Sequence, residues 1–171
     1  MTPIPVAIKN LTRLKFPSLL YDEMKNETLG SEYELSLVFA SDKFTHDLNL
    51  SYRGKDKPAN VLSFVLSETE GEIFINLTSK PDDDTVAHLF IHGCLHLKGL
   101  DHGSIMDSKE DKLRKKFSII NHNVESCSDR NRCGDIRSKS GSLRVHEGEK
   151  LSDNLGDGTT RIKRVKTRIH R

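Results

Sequence analysis

Three histidines in one short stretch, His92, His96 and His102, have the side-chain chemistry and the spacing of a metal centre. Residues four apart on an α-helix lie one turn apart on one face, so the imidazoles of His92 and His96 reach toward a single point. Gly99 follows within a turn and can leave the helix with positive φ. The chain then reverses, and His102 returns to the same point. Neutral imidazole is a good ligand for zinc, and three such ligands leave the fourth tetrahedral position to water, as in a catalytic rather than a structural site. A metal held this way lowers the pKa of its water from 15.7 to about 7.

The spacing, His-x3-His-x2-Gly-x2-His, is the one that metzincin proteases use, but those enzymes carry Glu directly after the first histidine as general base. Here that position is Gly93. The metal site is kept and the usual protease base is absent. His88 lies one turn before His92, where helix drift favours a packing or supporting role over ligation. Asp101, beside His102, reads either as a carboxylate that orients an imidazole or as an ordinary turn residue. Cys94 falls about 200° round the helix from His92, which suits a small buried residue rather than a fourth ligand.

A second group lies upstream, where Arg53, Lys55 and Lys57 crowd a polar loop before an apolar run. Arg53 suits a bidentate grip on a phosphodiester, and lysine supplies point charge. A loop of this kind, taken alone, is more often a solvated charged turn than a phosphate site.

These groups need elements to hold them. Residues 4–8 read as an edge strand broken by Pro5. Residues 17–28 read as a weakly amphipathic helix stopped by Gly30. Residues 33–40 read as a strand, and Ser41 caps a helix running to about Tyr52, with Phe44, Leu48 and Tyr52 on its apolar face. Gly54 ends that helix. Residues 61–66 and 72–77 read as an antiparallel hairpin. Pro81 and the acids Asp82, Asp83 and Asp84 mark a helix start, and the histidine helix follows from about Thr85 to Lys98, apolar nearly all round. A last helix is expected from about Asp107 to Ile120. The expected fold is α+β, a small mixed sheet of about four strands with helices packed around a central metal-binding helix.

The chain has 171 residues, enough for one domain and a tail. Its 35% hydrophobic content is low for a globular domain, so part of it stays out of the core. Periodicity stops near residue 121. Residues 1–120 are expected to form the metal-dependent domain and 121–171 a basic, low-periodicity tail. Of the 27 Lys and Arg, 12 fall in the tail against 7 of the 25 Asp and Glu. Cys94, Cys127 and Cys133 make no disulfide framework, no apolar run spans a membrane, and Met1 to Pro17 holds no apolar stretch followed by a small-residue cleavage site. A cytoplasmic location with no membrane association is expected.

Taken together, Tyr52-Arg53-Gly54-Lys55-Asp56-Lys57-Pro58 with Asn60 to Phe64, Gly71 to Ile75, and the segment His92 to His102 resemble the YbeY family. The resemblance covers about residues 30–118. It implies a zincin-like, single-strand-specific, zinc-dependent endoribonuclease of ribosomal RNA maturation and ribosome quality control. The implied partners are single-stranded rRNA precursor and the small ribosomal subunit. It matches His92, His96 and His102 to the zinc ligands, Arg53 to the basic residue of the RNA cleft, and Ser63 to the serine after the Val61-Leu62 pair. Departures occur at Leu100 (usually aromatic), Asn60 (usually Asp) and Val65 (usually Pro), and none removes a ligand. On this reading Arg53 stabilises charge building on the phosphate during metal-assisted hydrolysis. Two other readings are a zinc hydrolase acting on peptides and a ribosome-associated binding protein with structural zinc.

Overall fold

The computed structural model describes residues 2–119 and the backbone of Cys133–Ile136. All of these belong to one compact unit, Met1–Lys139. The chain order is β1 (Ala7–Asn10), α1 (Tyr21–Leu29), β2 (Glu34–Ala40), α2 (Asp42–Arg53), β3 (Val61–Val65), β4 (Glu70–Asn76), α3 (Asp83–Leu97), α4 (Ser104–Lys116) and β5 (Cys133–Ile136). The expected tail, with Cys127 and the basic run 161–171, otherwise lies outside the described residues. No helix among the described residues is long and apolar enough to cross a membrane.

The strands form one mixed sheet in the order β1-β2-β4-β3-β5. β1, β2 and β4 run parallel, β3 returns antiparallel to β4 as the expected hairpin, and β5 pairs in parallel with β3. Alternate residues divide between two faces. Leu35, Leu37, Phe39, Val61, Ile73 and Ile75 pack against α1 and α3, and Val38, Leu62, Phe64 and Phe74 pack against Phe44 and Leu48 of α2. The resulting fold is α+β, with α2 on one face and the metal-motif helix α3 on the other.

Several boundaries moved for local reasons. β1 starts at Ala7, because Pro3 and Pro5 have no N–H to give a ladder, while the Ile4 and Val6 amides donate to Ser31 O and Asp22 Oδ1 instead. Before α1, the Tyr21 hydroxyl donates to Pro17 O, and the helix begins only at Tyr21. α4 begins at Ser104, since the Asp107 amide already reaches Gly103 O. It ends at Lys116, where Ser118 turns left-handed (φ 55) and the Ile119 amide closes back on Arg114 O.

α3 is capped by the Asp82 carboxylate, which accepts from the Thr85 amide at 2.7 Å. From Val86 to Leu97 every residue is buried. This helix is the floor on which the site is built.

Candidate metal centre

The turn after α3 decides the geometry. Gly99 takes φ 92, its amide donates to His96 O, and the Leu100 amide donates to Leu95 O, the paired bonds of a Schellman end. The turn carries the Leu100 carbonyl back over the helix to His96 Nδ1, at 3.0 Å. It also returns His102, whose ring centroid lies 5.1 Å from that of His92 and 4.8 Å from that of His96.

The tautomers follow from the partners. A carbonyl oxygen only accepts, so His96 carries its proton on Nδ1. His92 Nδ1 lies 2.9 Å from Glu110 Oε2, a carboxylate acceptor, so it too is protonated there. Both lone pairs then sit on Nε2, and the two Nε2 atoms face each other 3.0 Å apart in the interior. Two acceptors at that distance repel unless a cation lies between them. His92, His96 and His102 each offer one donor atom, all within 4.8 Å of one another. The donor set therefore fits a borderline-soft divalent cation.

Glu110, on α4, was not foreseen from the sequence. Its side chain is 13% exposed, and its second oxygen lies 3.0 Å from His88 Nδ1, off the hydrogen-bond axis. Burial by itself raises the Glu110 carboxyl. The His92 hydrogen bond and the Arg114 guanidinium, joined by His88 and His92 whenever either ring is protonated, outweigh burial and hold it below the usual carboxylate range. The available signal was its place on the inward stripe of α4 between Met106 and Leu113, where a carboxylate needs a partner.

The other expected residues lie around this centre. His88 is buried one turn up α3, touching Glu110, and its Nε2 has no hydrogen-bond partner among the described residues. Asp101 is exposed in the turn beside His102. Ser63, 1% exposed on β3, donates its hydroxyl to Gly93 O at 3.3 Å and so braces α3 from the sheet. Cys94 faces the core, where burial pushes its thiol up and keeps it protonated, and it is not among the grouped donors.

Arg53 is the last residue of α2, whose Phe44 and Leu48 pack on the other face of the sheet from α3. Its guanidinium donates to Asn49 Oδ1 at 3.2 Å, and the Asn49 amide donates to Lys57 O at 2.7 Å. A fully buried asparagine thus ties Arg53 to the loop that carries Lys55 and Lys57. Beside it Tyr52 is 60% exposed and stands edge-on to Phe64, with ring centroids 5.1 Å apart.

The family profile described as endoribonuclease YbeY matches residues 7–124. Relatives carrying the name Endoribonuclease YbeY include one from Neorickettsia sennetsu, 34% identical, the match covering 53% of this chain and 78% of the relative. Another, from Pelotomaculum thermopropionicum, is 34% identical over 56% of this chain and 80% of the relative. A third, from Methylocella silvestris, is 42% identical over 47% of this chain and 54% of the relative.

Proposed function

The chain belongs to the YbeY endoribonuclease family, and on that footing we propose that it is a zinc-dependent endoribonuclease that cleaves single-stranded ribosomal RNA precursors. The observation that carries the reading is the pair of buried Nε2 atoms 3.0 Å apart, with both Nδ1 atoms committed to acceptors and His102 closing the group. His92, His96 and His102 would hold the ion. Zinc bound there supplies Lewis acidity to phosphate and water oxygens.

The chain's own residues do the rest. The Leu100 carbonyl and Glu110 fix the rings of His96 and His92, so each presents its lone pair to the ion. Arg53, held by Asn49, offers a guanidinium to a phosphate oxygen, with Lys55 and Lys57 adding positive charge on the same loop. Tyr52 offers an exposed ring to an unstacked base, which a duplex does not present. Gly93 leaves no carboxylate at the position of the protease base, which favours a phosphodiester over a peptide substrate. On this proposal the protein works in the cytoplasm, on the small ribosomal subunit.

The test is zinc content and cleavage of a single-stranded RNA by the full chain, with and without chelator. Stoichiometric zinc and chelator-sensitive cleavage are expected. His96→Ala should lose both, and Arg53→Glu should keep zinc and lose cleavage. Full cleavage by metal-free protein would overturn the mechanism, and stoichiometric zinc with no RNA cleavage would overturn the nuclease.

A further inference from the structure

We propose that Glu110 is a positioning residue through which metal occupancy and the docking of α4 stabilise each other. The inference rests on the metal-centre half of the function proposed above. α4 is mostly polar. Its inward stripe consists of Met106, Glu110 and Leu113, continued by Phe117 just past its end. Three of these are apolar and pack on the core, and the fourth is a carboxylate.

A carboxylate on a core-facing stripe costs free energy unless it is paired. Two partners of Glu110 are on α3, His92 Nδ1 at 2.9 Å and His88 Nδ1 at 3.0 Å. The contact that makes this burial tolerable is therefore the one that keeps the His92 proton on Nδ1 and its lone pair on Nε2. An ion at the three histidines favours the same tautomer, and so favours α4 in place. By linkage, α4 in place favours the ion by the same factor.

A separate polar tether gives the control. Lys116 Nζ of α4 pairs with Glu27 Oε2 of α1 at 2.7 Å, on the surface. It helps hold α4 without touching a histidine.

The experiment measures zinc affinity by chelator competition on the full chain and its Glu110→Ala, Glu110→Gln and Lys116→Ala variants. It is paired with nitrogen NMR of the histidine side chains and with amide exchange of α4, with and without zinc. Glu110→Ala should weaken zinc roughly 10- to 100-fold, the range for such outer partners. Glu110→Gln keeps one acceptor oxygen for His92 and should lose less. Lys116→Ala removes only an exposed pair that holds α4, and should weaken zinc far less than Glu110→Ala. In metal-free Glu110→Ala, His92 should lose its preference for the Nδ1-protonated tautomer. Zinc should slow exchange across residues 104–116 in the parent chain and not in Glu110→Ala. Unchanged affinity in Glu110→Ala, or an equal loss in Lys116→Ala, would overturn the inference and leave the metal centre standing. A parent chain that takes up no zinc would overturn both.

Discussion

Ser63 and Gly93 meet across the contact between β3 and α3. The serine hydroxyl donates to the glycine carbonyl at 3.3 Å, and a β-carbon on Gly93 would stand 3.0 Å from that same oxygen and 2.9 Å from Ile73 Cδ1. Position 93 therefore looks into the sheet. The residue that serves as base in proteases with this histidine spacing has no room here, and its absence follows from the packing. Gly93→Ala gains up to about 1 kcal/mol of helix propensity and meets an overpacking cost of about 1–3 kcal/mol. A net loss of about 1 kcal/mol is expected in urea unfolding, from the difference of those terms. Gly93→Glu should not create peptidase activity, and a folded, peptide-cleaving Gly93→Glu protein would contradict this packing argument.

Asn49 links Arg53 to the basic loop through its side-chain amide. Asn49→Ala removes one acceptor from the Arg53 guanidinium and the side-chain donor to the Lys57 carbonyl. Stability should fall by about 1–3 kcal/mol. Single-stranded RNA cleavage should fall about tenfold, as expected for an interaction of about 1.4 kcal/mol, with zinc content unchanged. Loss of zinc in this variant would show that the two groups are not independent.

The Lys25 ammonium is fully buried and donates to the carbonyls of Ile4, Ser31 and Tyr33 at 2.8, 3.0 and 3.1 Å. Burial lowers its pKa, which the charges of Asp22 and Glu32 partly offset. Lys25→Met leaves three acceptors without that donor and should destabilise the chain by about 3 kcal/mol. Thermal unfolding of the two proteins at one pH would measure it, and an unchanged midpoint would mean that water replaces the ammonium.

Tyr33 presents the opposite case. Its hydroxyl is buried with no partner among the described residues, and burial raises its pKa from 10.0 to about 12. The folded state favours the neutral phenol, so this stabilisation is complete below pH 10 and is lost as pH rises from 10 through 12. Tyr33→Phe should be no less stable at pH 7 and should lose less stability across that alkaline window. Parallel urea curves at pH 7 and pH 11 compare them, and identical alkaline losses would refute the assignment.

The grouping of His92, His96 and His102 was legible in the chain because their relation is local. A four-residue step on a helix and a glycine able to turn left-handed bring His92, His96 and His102 together whatever the remainder does. The β3–β4 hairpin was legible for the same reason, since only a few residues separate its strands. Glu110 was not legible. It reaches His92 across 18 residues, after the Gly99 turn and the start of α4 have set the angle between two helices. Nor could the sequence alone place Asn49 beside Arg53, or show that a side chain at position 93 would meet Ser63 and Ile73. Spacing along a helix determines which side chains share a face. Which neighbour that face meets depends on the packing of elements distant in sequence, and only the tertiary structure decides it.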